Sequence, residues 1–258
     1  MKLLNLVKNQ IAKIDENAFG GLFNLEHLDM SHNQLVQLIE NTFEHLLNLK
    51  HLSLEHNQLD LSLNGGFKHL NELNELNLAN CNLGNEIGSN YFECLRNLKK
   101  LNLNANKIVS ISEKAFQNLA NLEELNLFDN NCFKFEANIF SHLSHLKRLN
   151  LEKNQIENLN FISKNVLKNL ESLNLSRNKL KRLGPFSFEN LGKLRRLNLA
   201  RNEIEQLDVE KDLKGLENLE ELNLSHNKLY YDLDVVLYEK IKKLKRINLD
   251  GNNKFNLK

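Results

Sequence analysis

The 258-residue sequence has no surplus of either charge: 34 Lys and Arg stand against 33 Asp and Glu, leaving a formal +1. Nothing in that balance demands nucleic acid or an anionic membrane as partner. The apolar runs are only a few residues long, far short of the roughly 20 that cross a bilayer, so no membrane span is expected. Cysteine is scarce. Cys81, Cys94 and Cys132 are an odd number at unrelated spacings, with no CxxC and no Cys/His cluster, so neither a disulfide framework nor a zinc site is indicated. No GxSxG elbow, P-loop, HExxH or Cys/His nucleophile arrangement occurs; no enzyme and no cofactor are expected. Tryptophan is missing, proline occurs once, at Pro185, and repeat-like sequence begins directly after Met1-Lys2 with no legible leader.

What the sequence does have is leucine, asparagine and a period. Aligned on LxxLxLxxNxL, the Asn position falls at Asn9, Asn33, Asn57, Cys81, Asn106, Asn130, Asn154, Asn178, Asn202, Asn227 and Asn252. The steps are about 24 residues, so some eleven units fill residues 1–258 as one domain without a linker. Alternation in Leu28-Asp29-Met30 is that of a short strand with one face buried. The Asn has a different task. Where the strand turns inward, backbone groups lose their ladder partners, and an amide that both donates and accepts can satisfy them from coil to coil. Cys81 interrupts this row and reads as a packed thiol, as do Cys132, in place of a core Leu, and Cys94.

Ten or eleven residues after the Asn comes an aromatic: Phe19, Phe43, Phe67, Phe92, Phe116, Phe140 and Phe188. Stacked coils would align these as a spine, each burial contributing about 1.5–3 kcal/mol. Leu213 and Tyr238 are expected to fill the place in two longer repeats. Lys164 does not fit, and Phe161 or Ile162 is expected to turn inward instead.

The stretches "IAKIDENAFGGLFNLEHLDMSHNQL" and "IVSISEKAFQNLANLEELNLFDN" resemble the 24-residue typical class of the leucine-rich repeat family, over essentially the whole chain. The resemblance implies an α/β repeat solenoid: a curved horseshoe with a concave parallel sheet and a convex face of loops, turns and short 3-10 or helical segments, ligands lying on the concave side. Toll-like receptor ectodomains and insect and matrix adhesion proteins look like this, which implies an extracellular or cell-surface place, with a cytoplasmic adaptor as the alternative. Two features depart from the class: Cys-rich caps are missing at both ends, and convex prolines are nearly absent. Uncapped end coils would expose Leu4, Leu6, Ile11 and Ile14 at one end and Ile247 and Leu249 near the other, "GNNKFNLK" being too short for a full cap. End-to-end self-association, or a longer array, follows from that.

With the scaffold assigned, recognition falls to the variable strand positions. The centre of LxL is Asn in the eight repeats from Asn77 to Asn248, and again at Asn5, with Asp29 and Ser53 between, which serves ligand contact or simple repeat homogeneity. Two residues before the centre and three after it, charges vary. The first half offers His27, His32, His51 and His56; spacing of about 4.8 Å puts His27 beside His51 and His32 beside His56. Imidazoles titrate in mild acid, and no carboxylate or Cys completes a metal shell. Later come Arg148, Lys153, Arg177, Arg196 and Arg201, a group suited to an acidic protein surface or a sulfated glycan. Asn174-Leu175-Ser176 and Asn223-Leu224-Ser225 are formal glycosylation sequons that arise from the consensus itself. The expected function is non-catalytic protein binding.

Overall fold

A computed structural model describes residues 1–61, 65–162, 167–230 and 234–252; Lys164 and the tail 253–258 lie outside the described residues. Each repeat forms one coil and contributes one three-residue strand, from Leu3–Asn5 in coil 1 to Arg246–Asn248 in coil 11. The eleven strands make a single parallel sheet in chain order, every strand pairing with its equivalent in the next coil. From coil 2 to coil 10 the middle residue of the strand, such as Leu28, Leu125 or Leu197, is buried, while its two neighbours face outward; Leu4 and Ile247 in the end coils are only partly covered. Period-2 alternation allows nothing else in so short a strand.

The opposite side is built of turns. Phe19, Leu22 and Leu25 are linked by i→i+3 bonds of 2.9–3.1 Å, and Phe43, Leu46 and Leu49 by bonds of 3.0–3.1 Å. These i→i+3 turns point every third side chain at the core, and in most coils they stay single turns. Two short helices, α1 (Val209–Asp212) and α2 (Asp234–Lys240), appear in the longer late repeats, and Glu86–Ile87 pairs with Ser110–Ile111 as a minor two-stranded sheet.

The aromatic spine forms. Phe19 stacks on Phe43 at 6.0 Å, and Phe92, Phe116 and Phe140 stack in series at 6.3 Å. In the irregular seventh repeat both Phe161 and Ile162 are buried, Phe161 meeting Phe140 edge-on at 5.9 Å. Leu213 is buried as expected, but Tyr238 is 45% exposed and Leu237 takes its place. Helix α2 explains the exchange: Leu237 and Ile241 share one helical face, and Tyr238 is rotated off it. Ile14 is buried, whereas Leu4, Leu6, Ile11, Ile247 and Leu249 are only partly covered. Cys94 is also half-buried rather than packed in the core.

The Asn row does what its chemistry suggests. Asn106 donates through Nδ2 to the Leu78 carbonyl of the preceding coil (2.8 Å) and to Leu103 in its own (3.0 Å), while Oδ1 accepts from the Cys81 N–H at 2.8 Å. The same pattern recurs at Asn33, Asn57, Asn130 and Asn154. At the break, the Cys81 thiol donates to the Leu54 carbonyl at 3.1 Å, and the Leu59 N–H turns to the Cys81 carbonyl instead. One residue before each Asn the backbone is left-handed, with φ near +55° at Lys8, His32, Ala105 and Arg201. That conformation costs an ordinary L-residue roughly 1–2 kcal/mol.

A third inter-coil bond runs along the edge where the chain enters the sheet. Lys2 and Lys50 clasp Glu26 at 2.6 and 2.9 Å; their hydrogen bonds, Lys2 first, hold its carboxyl down from 4.5 to about 2. Nearby, Asn48, Asn97, Asn121 and Asn169 donate to carbonyls of the preceding coil at 2.7–3.0 Å.

Three outcomes follow. Asn106→Ala leaves buried groups unpaired in coils 4 and 5 and should lower stability by about 1–3 kcal/mol for each, read as a drop in urea midpoint. Ala105→Gly, one residue away, should raise the midpoint, by roughly 0.5–1 kcal/mol once the extra freedom of the unfolded glycine is subtracted. Glu26→Gln should be less stable than the parent at neutral pH. Because the folded carboxyl is depressed, the difference is full above 4.5 and closes as pH falls toward about 2, which a pH series of urea melts would reveal.

Candidate recognition surface

Two rows of variable side chains emerge from this frame. The strand row lies on the sheet, in register from coil 2 to coil 11: His27, His51, Glu75, Lys100, Glu124, Arg148, Ser172, Arg196, Glu221 and Arg246. The turn row sits where the chain leaves the sheet, on the left-handed residues His32, His56, Asn80, Ala105, Asp129, Lys153, Arg177, Arg201 and His226. The five basic candidates therefore divide. Arg148 and Arg196 stand on the sheet, and Lys153, Arg177 and Arg201 on the exit turns.

Compensation differs sharply between them. Arg148 is bonded to Glu124, Lys153 to Asp129 at 2.8 Å, and Arg177 to Glu152 at 3.4 Å. Arg196 and Arg201 make no ion pair among the described residues, and both are exposed. Arg196 lies in register between Ser172 and Glu221, and Glu221 is engaged by Arg246 at 3.4 Å. Lys100, not singled out from the sequence, is central to the first half. It bonds Glu75 at 2.6 Å and approaches Glu124 at 4.0 Å, and the Glu75 carboxylate holds its ammonium above the usual lysine value.

The histidines meet in pairs. The His27 and His51 rings stack at 4.3 Å with 3° between planes, and His32 and His56 at 4.2 Å with 15°. His51 Nδ1 lies 3.1 Å from Glu75 Oε2, which joins the first pair to the Glu75–Lys100–Glu124–Arg148 chain. His56 Nδ1 is 2.8 Å from Asn80 Nδ2. A concavity over the first half of the sheet is lined by His27, His51, Glu75, Lys100, Glu124 and the residues between them. No group of three or more His, Cys, Asp or Glu among the described residues is placed to hold a metal ion.

The central Asn column turns out to have a backbone task. Oδ1 of Asn77, Asn102, Asn126, Asn150, Asn174, Asn198, Asn223 and Asn248 accepts the N–H two residues ahead, at 2.9–3.2 Å. This is the Asx turn, in which a short amide mimics the next turn's carbonyl. Asp29 closes the same bond to Ser31 at 2.9 Å. Repetition of Asn or Asp two residues before a bend was the signal that reveals it. The Nδ2 groups stay on the face: Asn102 donates to Asn77, and Asn174 to Glu152. At the first sequon the Ser176 hydroxyl donates to Asn174 Oδ1 at 2.8 Å, so that side chain is held from both ends.

Burial pushes the Cys81 and Cys132 thiols up to about 12. Thiols held neutral in this way are poor nucleophiles and poor metal ligands. No helix among the described residues is long and apolar enough to cross a membrane.

Residues 1–59, 80–132 and 168–229 match the Leucine rich repeat family, and residues 142–159 match a second model of that repeat. No curated protein matches the chain. Among solved structures, the TLR13–ssRNA13 complex matches at 28% identity and TM-score 0.76, over 99% of this chain and 41% of that one. A leucine-rich repeat protein of Leptospira interrogans matches at 26% identity and TM-score 0.81, over 99% and 67%. The Toll–Spatzle complex of Drosophila matches at 25% and 0.69, over 98% and 38%. The chain thus spans about two fifths of the two receptor chains. With its period, its asparagine ladder and these matches in agreement, the chain belongs to the leucine-rich repeat family, a protein-interaction fold.

Proposed function

We propose that the chain is a non-catalytic protein-binding module of a cell-surface or secreted protein, and that its partner presents an acidic surface to coils 8 and 9. The observation that carries this reading is the pair of uncompensated guanidiniums, Arg196 on the sheet and Arg201 on the exit turn of the same coil. An Arg already bonded to a carboxylate must give up that bond to take another. A free one gains charge-assisted, bidentate hydrogen bonds outright. Ser172 and Asn198 stand beside Arg196 and add neutral donors and acceptors. Arg148, Lys153 and Arg177 form the flank, their charges already committed within the chain. The receptor-like setting is supported by the likeness to TLR13 and Toll, solved with RNA and with Spatzle respectively. The near-neutral total charge favours a protein over RNA as the partner here.

The test is a calorimetric titration with a glutamate-rich peptide, run beside heparin as the polysaccharide competitor. Arg196→Glu with Arg201→Glu should weaken the peptide by about tenfold or more, with the urea midpoint unchanged. Arg148→Glu with Lys153→Glu should weaken it less. Equal affinity in parent and Arg196/Arg201 variant would remove these residues as the anchor, and tighter binding of heparin than of peptide would assign the face to a glycan.

A further inference from the structure

The residues that enter each strand carry a second period, twice that of the repeat. Immediately before the strand row, coils 5 to 11 read Lys99, Glu123, Lys147, Glu171, Arg195, Glu220 and Lys245. The sign reverses at every coil. Asn74 precedes them in coil 4. The strand row repeats the alternation beside it, Ser172 being the one neutral member of that stretch. Stripes of like charge therefore cross this edge every two coils, about 10 Å apart at the strand spacing.

Part of the pattern is used within the chain. Lys147 bonds Glu123 at 2.7 Å, and Glu220 is shared between Arg195 at 3.3 Å and Lys245 at 2.7 Å. Lys99 and Glu171 make no ion pair among the described residues. Opposite charges across neighbouring strands stabilise a sheet modestly, which accounts for the pairs but leaves those two unused.

An alternating edge has one partner that matches it by construction, an identical edge in reverse order. A two-fold axis between coils 7 and 8 brings coil 7 of one copy onto coil 8 of the other, coil 6 onto 9, coil 5 onto 10 and coil 4 onto 11. Lys147 then faces Glu171, Glu123 faces Arg195, Lys99 faces Glu220 and Asn74 faces Lys245. Every charged contact is between opposite signs, and the symmetry doubles each. A shift by one coil would set Lys147 against itself and Glu123 against Glu171, which repulsion excludes. Two-coil shifts restore opposite signs, but one leaves Lys99 unmatched within coils 4 to 11 and the other keeps only two charged pairs per half. We infer that the strand-entry edge of coils 4 to 11 is an isologous dimer surface whose partner is a second, antiparallel copy of this chain. The exit turns, with Arg201, stay free on the other edge.

Sedimentation velocity on the 258-residue chain tests this. A dimer should form at about 100 μM in low salt and dissociate as ionic strength approaches about 0.5 M, where charge interactions are screened within a few ångströms. Lys99→Glu should raise the dissociation constant by about tenfold or more, since two symmetric contacts are reversed at once. Adding Glu220→Lys to Lys99→Glu should restore the dimer. Coils 5 and 10 lie some 24 Å apart along one chain, beyond the Debye length of about 10 Å at 0.1 M salt, so rescue reports a contact between copies. A monomer at every salt concentration, a dimer indifferent to salt, or a double variant no tighter than Lys99→Glu would each overturn the assignment.

Discussion

One buried amide per coil makes the stack possible. Each strand is only three residues long, and its chain then dives toward the interior, where backbone donors and acceptors have no ladder to join. Asn106 alone answers carbonyls in two coils and an N–H in the coil before it. Leaving such groups unpaired costs as much as several good apolar contacts gain. The leucines supply the driving force, but the amide determines that it is spent on stacking one coil upon another. Cys81 illustrates the limit: a thiol replaces the donor, and a backbone carbonyl must replace the acceptor.

That constraint decides where variation is tolerated. Inward positions are committed to leucine, phenylalanine and asparagine, and the left-handed residue before each Asn is committed in backbone though not in side chain. Charge is left to the strand row, the exit turns and the entry edge. On the strand row and the entry edge of coils 5 to 11 it largely alternates in sign, so that most cations there meet a carboxylate of an adjacent coil, whereas the exit turns carry Lys153, Arg177 and Arg201 in succession. A surface arranged in this way is neutral in sum and patterned in detail. The exceptions, such as Arg196 and Arg201, are side chains whose neighbours are neutral or already engaged.

Much of the scaffold was legible in the residue pattern. The period located the eleven strands of the concave sheet, though not the minor pair Glu86–Ile87 and Ser110–Ile111; the Phe column located the spine, and the misfit at Lys164 pointed to Phe161 and Ile162, both buried. The placing of His27 beside His51 followed from register alone, and the structure adds that their rings stack. Other features were not legible. Tyr238 occupied the expected slot in the alignment, yet a short helix rotated Leu237 into it, because helical and extended spacing place different residues inward. The uniform Asn column looked like homogeneity or ligand contact until its bonds to the N–H two residues on came into view.

The sequence by itself determined the coil: which residues face inward, how many strands stack, and which columns are open to change. These depend on period and side-chain chemistry, and both are local. The tertiary structure decided which charges are already spent. Arg148 and Arg196 occupy equivalent positions in identical Arg-Leu-Asn strands, but Arg148 lies against Glu124 and Arg196 lies between Ser172 and a Glu221 that Arg246 holds. On the sheet an ion pair between coils joins residues 24 or 25 positions apart, and its strength depends on distance and competition that only the stacked coils supply.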